Sequence, residues 1–260
     1  MLQIVADDLG LDPAVNEGIF FAFKNGLIEG ASLMANGLAF DHAVAGLREA
    51  AGLKLGIHLA LVEEKSLLDK EQVPTLVNGE GFFYKNHRLF FIRYILGLIK
   101  KDDIKKEVEA QIHKCLEAGI KPEFINSHQH LHLLPGVMDI IISLAKKYGI
   151  PYIRIIHEPL EARGSLARKA QLCFVRFLSG MAKKRIISSG LRCNDFFIGF
   201  LNAGNLSKSD IDLALKINND YPDKTIELGC HPGFEDEYVR NKYRHWGYHW
   251  QKEIEVLENS

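Results

Sequence analysis

The sequence predicts an α/β protein built as a TIM-like (β/α) barrel of about seven parallel strands, in a single domain spanning residues 1–260. Three observations support this. The length of 260 residues is close to the roughly 250 that one such barrel needs. Short β-type runs alternate with longer helical patterns, which favours a parallel sheet with helices outside it. Polar side chains follow nearly every predicted strand, at the edge where barrels build their active sites.

Seven short runs have the composition of strands. They are Leu2–Ala6, Gly30–Met34, Lys54–Leu61, Phe124–His128, Tyr152–Ile156, Phe196–Phe200 and Ile226–Cys230. Helical patterns fill the intervals. The first begins with Asp12 as its N-cap and Pro13 in its first turn, and Gly26 ends it. Apolar residues at four-residue spacing between these limits predict one buried helix face.

Two further helices have equally clear limits. Asp103 is predicted to open one, which stops before Gly119 and Pro122. The other runs to Tyr148 and is closed by Gly149, which is followed by a proline. Strand, helix and strand therefore follow one another along the chain, with no internal repeat or linker.

Composition excludes several classes of protein. There are 32 Lys and Arg against 33 Asp and Glu, a net charge of −1, so no overall positive field favours nucleic acid. The four cysteines lie far apart without a C-x-x-C pair, which favours reduced thiols and a cytoplasmic location. No signal peptide pattern is present, and no uncharged apolar run reaches the roughly 18 residues of a membrane span.

Two carboxylates end the first predicted strand. Asp7 and Asp8 follow an apolar run and precede Leu9-Gly10. Neighbouring strand residues face opposite sides, so both can reach one pocket only if the strand ends there. Such close carboxylates repel unless a cation or a raised pKa removes one charge. The alternative is an ordinary Asp pair that starts a loop and caps the next helix.

Histidines follow two of the inner strands. His58 alone would more often be a hydrogen-bonded core residue than a ligand. Three further histidines are two positions apart, at His128, His130 and His132. If the strand continued that far, this spacing would place all three imidazoles on one surface. Together with Asp8 these residues predict a site of mixed oxygen and nitrogen donors, suited to zinc or a similar divalent ion. The alternative is an exposed histidine-rich strand edge.

The last strand ends at an abrupt turn. Pro232-Gly233 follows His231 directly, and the turn would place this histidine at the rim of the same barrel mouth. The alternative is a histidine in an ordinary Pro-Gly turn.

Four motifs together resemble the YdjC-like (ChbG-type) carbohydrate deacetylases over essentially the whole chain. They are Ala6-Asp7-Asp8-Leu9-Gly10, Gly56-Ile57-His58-Leu59, Ser127-His128-Gln129-His130-Leu131-His132 and His231-Pro232-Gly233. Three more stretches look most like the hopanoid-biosynthesis-associated HpnK branch. They are Ala31-Ser32-Leu33-Met34-Ala35-Asn36-Gly37, Leu61-Val62-Glu63 and Ile153-Arg154-Ile155-Ile156-His157-Glu158-Pro159.

The resemblance implies a distorted barrel with one divalent metal ion, Mg or Zn. It implies Asp8, His58 and His128 as metal ligands, Asp7 as catalytic base and His231 as general acid. Further substrate contacts are expected from Asn36, His130, His132, Arg154 and Glu227. Whether Arg154 holds Asp7 ionised or binds substrate is left open. One departure is Asn126, because chito-oligosaccharide-type members tend to carry Asp before Ser-His.

The expected reaction removes an acetyl group from an N-acetylglucosamine-type sugar, carried on a hopanoid glycolipid if the branch resemblance holds. The first alternative is N-deacetylation of a chito-oligosaccharide of the diacetylchitobiose type. Lower alternatives are a metal-dependent phosphoesterase and a non-catalytic metal-binding protein. A homo-oligomer is left open.

Two segments combine apolar and basic residues. One runs from Phe82 to Lys101, and the other from Arg163 to Arg192 contains no acidic residue. Such a pattern is typical of an interfacial helix and predicts peripheral contact at the inner face of a membrane. The alternative for the second segment is an outer barrel helix with an ordinary core face.

Overall fold

Seven parallel strands form a single curled sheet in the computed structural model, which describes residues 1–260. The strands are β1 (Leu2–Leu9), β2 (Gly30–Leu33), β3 (Lys54–Leu59), β4 (Phe124–Ser127), β5 (Tyr152–Ile153), β6 (Phe196–Ile198) and β7 (Ile226–Cys230). Their order is β5-β4-β3-β2-β1-β7-β6, and every pairing is parallel. The predicted α/β class, the number of strands and the distorted barrel are confirmed.

Nine α-helices surround the sheet. They are α1 (Pro13–Lys24), α2 (Phe40–Gly46), α3 (His87–Ile95), α4 (Lys101–Glu117), α5 (Val137–Tyr148), α6 (Leu166–Ser188), α7 (Lys208–Asp220), α8 (Glu237–Lys242) and α9 (Trp250–Glu258). Short 3-10 helices cover Leu47–Glu49, His128–Leu133 and Arg244–Trp246. No helix combines the length and the apolar character that crossing a membrane requires.

The predicted helix limits are correct at α1, at α5 and at the end of α4, which stops at Glu117 before Gly119, but not at the start of α4. Asp12 caps α1 by accepting a hydrogen bond from the amide of Ala14, and left-handed Gly149 ends α5. The prediction that Asp103 opens α4 was wrong, because the helix begins at Lys101. The Asp103 carboxylate instead accepts hydrogen bonds from the backbone amide and hydroxyl of Thr75, at 3.0 and 2.7 Å.

The barrel is distorted where β5 and β6 should meet. These strands do not pair, and most predicted strands also end one to three residues early. The side chain of Asn194 fills the gap: its oxygen accepts from the Ile155 amide, and its NH₂ donates to the carbonyls of Ile155 and Phe196. One buried side chain thus replaces part of a ladder of backbone hydrogen bonds.

The end of β1 carries the irregularity that the Asp pair requires. Asp8 has a φ of 66°, and the pairing with β2 shifts register between Ala6 and Leu9. Gly10, at φ 93°, lies so close to β2 that a Cβ would be 2.9 Å from the Met34 carbonyl oxygen. This backbone twist lets neighbouring carboxylates serve one site, because strict alternation is interrupted.

Candidate active site

A cavity of about 1000 Å³ opens at the carboxyl ends of the strands. Four of the predicted functional histidines and one of the carboxylates line it, namely His58, His128, His130, His231 and Asp7. Asp8 is fully buried beside them. The strand ends therefore converge on one site, as the C-terminal face of a barrel does.

Asp8, His58 and His128 form a compact buried cluster. Their potential ligand atoms all lie within 4.8 Å of one another. Asp8 Oδ1 is 3.3 Å from His58 Nε2 and 3.5 Å from His128 Nδ1. Both Asp8 oxygens and His58 Nε2 are buried without a hydrogen-bond partner. Because orphaned buried polar atoms are costly, this donor set fits a cation better than an ordinary core network.

The ring of His58 is oriented by Asn126. The Asn126 oxygen lies 2.7 Å from His58 Nδ1, while its NH₂ donates to Asp7 Oδ1 at 3.0 Å. Since a carboxylate only accepts, the amide must point its oxygen at His58, and Nδ1 must carry the proton. Nε2 is then the ring atom that faces Asp8, the orientation that second-shell partners give to metal-binding histidines.

His128 is held between two carboxylates. Its Nδ1 faces Asp8, and its Nε2 lies 3.4 Å from Glu63 Oε2, which also accepts a hydrogen bond from the indole of Trp246. The Trp246 ring packs on His128 with centroids 4.6 Å apart. Burial would lower the pKa of His128, but hydrogen bonds and charge from Asp8 and Glu63 raise it to about 10. The cluster therefore favours positive charge.

Asp7 belongs to a separate network. Arg154 donates two hydrogen bonds to its carboxylate, and Ser32 donates a third at 2.7 Å. Burial opposes ionisation, yet the Arg154 charge holds the pKa of Asp7 well below its usual range. Arg154 is itself fully buried and donates through Nε to Glu227 at 2.5 Å. One guanidinium thus joins Asp7 to Glu227, whose pKa burial raises.

His231 enters the cavity from the end of β7. Its backbone amide donates to Glu253, which fixes the chain position, and its ring lies against Tyr248 with centroids 4.6 Å apart. The ring atom Nδ1 is buried and has no partner. An imidazole with a free polar edge is therefore available at the cavity wall.

The histidine run after β4 does not continue as a strand. The strand ends at Ser127, and left-handed φ values at Gln129 and His130 turn the chain into a 3-10 helix. His130 lines the cavity against Phe200, with ring centroids 5.5 Å apart. His132 points elsewhere: its Nδ1 bonds the Ser127 hydroxyl and its Nε2 the Arg154 carbonyl. Burial lowers the pKa of His132 to about 4.

Asn36 and Glu227 do not line this cavity. Asn36 donates to the Lys65 carbonyl at 3.1 Å, and Glu227 lies beneath Arg154.

Sequence reasoning assigned no role to Glu63, Ser32, Trp246 or Tyr248. Ser32 gives a weak signal, as the hydroxyl in the otherwise apolar strand β2. Glu63 lies five residues after His58, but its partners His128 and Trp246 are 65 and 183 positions away, and only folding brings them together.

Comparison with known proteins agrees with this architecture. The chain is 29% identical over 255 residues to a carbohydrate deacetylase of Clostridium beijerinckii, covering 98% of this chain and 89% of that one. It is 34% identical over 184 residues, 70% of each chain, to a carbohydrate deacetylase of Geobacillus stearothermophilus. A crystal structure from Enterococcus faecalis, described as a candidate cellobiose-phosphate cleavage protein, superposes with a TM-score of 0.77 at 26% identity, covering 98% of this chain and 89% of that chain.

The family model described as "YdjC-like protein" matches residues 1–260. The chain therefore belongs to the YdjC-like protein family.

Proposed function

We propose that this protein is a metal-dependent hydrolase that removes the acetyl group from an N-acetylglucosamine-type sugar. The observation that carries the proposal is the buried Asp8–His58–His128 cluster with its partnerless ligand atoms, beside an Asp7 held ionised by Arg154. The names of the carbohydrate deacetylase relatives support the same reaction class.

One divalent ion, Zn or Mg, would be held by Asp8, His58 and His128. Two imidazoles and one carboxylate suit zinc, whereas magnesium prefers oxygen donors. When bound, such an ion supplies Lewis-acid polarisation of the acetamide carbonyl and lowers the pKa of water. Glu63 and Asn126 orient the two imidazoles toward Asp8.

Asp7 and His231 divide the proton transfers. An acetamide is a poor electrophile and an amine is a poor leaving group, so each end of the reaction needs help. Asp7 accepts the proton of the attacking water at its carboxylate, and Arg154 positions that carboxylate. His231, in its protonated form, delivers a proton to the departing nitrogen. Each transfer is worth about 10²–10⁴ in rate.

The substrate is assigned to the HpnK type, an amino sugar carried on a hopanoid lipid. The cavity supports this, because beyond the polar cluster its mixed wall includes five apolar side chains, Phe91, Ile92, Phe174, Val175 and Leu178. A soluble chito-oligosaccharide would offer these five side chains no apolar partner. The four free cysteines accord with a cytoplasmic protein.

Acetate release tests the proposal. Purified protein is assayed in parallel on N-acetylglucosaminyl lipid and on diacetylchitobiose, with and without chelator, and beside Asp7→Asn. We expect lipid-dependent acetate release that chelation and the variant abolish. Preference for diacetylchitobiose would select the alternative substrate, and phosphate release from phosphoesters would select another reaction. Full activity of Asp7→Asn would exclude Asp7 as the base.

A further inference from the structure

An exposed apolar face lies on the outside of the barrel, formed by α3 and α6. We call it the α3–α6 face, and its members are Leu89, Ile92, Ile95, Leu96, Phe174, Phe177 and Met181. Ile95 and Phe177 are each 64% exposed. Single exposed apolar residues are ordinary, but a cluster of this kind marks an interaction surface.

Helix α6 has two apolar sides, although an outer barrel helix needs only one. Its inner side packs on the core through Leu172, Leu178, Ala182 and Ile186. Its outer side exposes Leu166, Phe174, Phe177 and Met181, which follow one another at three- to eight-residue spacing along the same stripe. Helix α6 therefore has the core face of an ordinary outer barrel helix. Its second apolar stripe, on the exposed side, needs another explanation.

The α3–α6 face is continuous with the catalytic cavity. The rings of Phe91 and Phe174 join the two helices edge to face, with centroids 5.6 Å apart. Phe91, Ile92 and Phe174 also line the cavity that contains His128. The apolar surface thus leads from the outside of the barrel to the cluster.

The two segments that carry this face contain basic residues and no acidic ones. Residues 82–101 and 163–192 contain thirteen Lys and Arg and no Asp or Glu, in a chain whose net charge is −1. Only Lys183 and Arg185 of the thirteen pair with a carboxylate, to Asp195 and Asp139. Arg168 and Arg176 are held inside the fold, because they donate to the carbonyls of Phe200 and Glu158. The exposed basic side chains without a salt bridge are Lys85, Arg88, Lys100, Lys101, Arg163, Lys184 and Arg192.

We propose that the α3–α6 face docks on a bilayer that contains anionic lipids, with Ile95 and Phe177 inserted among the acyl chains. Exposed apolar residues and exposed basic residues on the same two segments match a bilayer's hydrocarbon and its negative headgroups. A second copy of this chain is a poorer occupant, because two such basic faces would repel each other. The contact is peripheral, since no helix can cross a membrane.

Docking in this orientation would bring the cavity mouth to the membrane surface. An amino sugar on a lipid anchor would then reach the cluster without leaving the bilayer completely. This consequence rests on the proposed function, whereas the docking itself does not.

Vesicle sedimentation of the 260-residue chain tests the inference. The vesicles are phosphatidylcholine alone or phosphatidylcholine with 30 mol% phosphatidylglycerol, about a third of the lipid being anionic as in a negatively charged leaflet. We expect sedimentation with the anionic vesicles, decreasing with salt, and little with the neutral ones. Each of Ile95→Ser and Phe177→Ser should weaken partitioning about tenfold or more, because each removes a large apolar side chain from the bilayer.

Leu215→Ser is the matched control, because Leu215 is 45% exposed on α7, outside both basic segments. It should sediment like the unaltered protein. Ile95 and Phe177 do not line the cavity, so acetate release from a soluble acetylated sugar should be unchanged in both variants.

Three results would overturn the inference: no sedimentation with anionic vesicles, equal sedimentation with neutral ones, or equal weakening by Leu215→Ser. A concentration-dependent dimer that Phe177→Ser dissociates would assign the face to a second copy instead. Failure of docking with retained acetate release would leave the proposed reaction intact. Docking without acetate release would support the membrane contact and contradict the proposed reaction.

Discussion

The Asn126 side-chain oxygen lies 2.7 Å from Nδ1 of His58 and fixes which nitrogen of that ring faces Asp8. The same amide donates to Asp7 Oδ1 at 3.0 Å. A single neutral residue therefore connects the proposed ligand cluster to the proposed base. It does so without adding a further buried carboxylate beside Asp7, Asp8 and Glu227, which would repel all three.

Removal of this link should weaken metal binding. Asn126→Ala removes the shorter of the two contacts of His58 Nδ1 and leaves only the Ser32 hydroxyl at 3.1 Å, so the ring is held less firmly in its orientation. Loss of such a second-shell partner lowers metal affinity by about 10–100-fold. Zinc titration calorimetry on metal-stripped protein measures the change. Asn219→Ala, at an exposed position of α7, is the control and should bind zinc normally. Unchanged affinity in Asn126→Ala would argue against the orienting role.

Metal binding should release protons. Without a cation, Asp8 and Glu63 raise the pKa of His128 to about 10, so this ring is protonated at neutral pH. A coordinating imidazole must be neutral, and binding therefore expels about one proton at pH 7. Calorimetry in buffers of different ionisation enthalpy counts the released protons. Apparent affinity should fall as pH is lowered, and the absence of any proton release would contradict coordination by His128.

Glu158 should make stability depend on pH in the opposite sense to most carboxylates. It is fully buried, its Oε2 accepts from the amides of Phe200 and Leu201, and its Oε1 has no partner. Burial raises its pKa to about 7, from an ordinary 4.5. The folded chain binds the proton more tightly than the unfolded chain, so stability is full below about pH 4.5 and decreases up to about pH 7, by about 3 kcal/mol.

Urea unfolding at pH 5, 6, 7 and 8 measures this effect. Glu158→Gln carries no charge at any pH, and the difference in unfolding free energy between variant and unaltered protein should shift in favour of the variant as pH rises. The difference isolates Glu158 from other titrating groups. A pH-independent difference would contradict a raised pKa at this position.

How much could be predicted from sequence differs between the backbone and the side-chain networks. Alternation of strands and helices predicted the barrel, and metal-competent residues at strand ends predicted the residues that form the cluster. The local pattern did not predict the left-handed turn at Gln129 and His130, which separates His130 from His132. Extended and turned backbones have the same sequence spacing, so spacing alone assigns no common face.

The residues that support the cluster and the sheet were even harder to predict from the sequence. Glu63 and Trp246 are 183 positions apart, and they meet at His128 only because the loop after β3 and the 3-10 helix before α9 cover the same barrel mouth. Asn194 likewise joins β5 to β6 by side-chain bonds that no strand periodicity records. Contacts between loops depend on the finished fold, whereas strand and helix patterns are local.

Loss of His231 should lower kcat more strongly when the leaving group is more basic. His231→Ala removes the proposed proton donor, and the amine of an N-acetyl sugar cannot leave without a proton. We therefore expect kcat to fall by about 10²–10⁴ on that substrate. On 4-nitrophenyl acetate, whose phenolate leaves unprotonated, the loss should be less than about tenfold, because only the attack step still needs assistance. Asp7→Asn is the contrasting variant, because loss of the base should lower kcat on both substrates. Equal loss on both substrates in His231→Ala would show that His231 does not act on the leaving group.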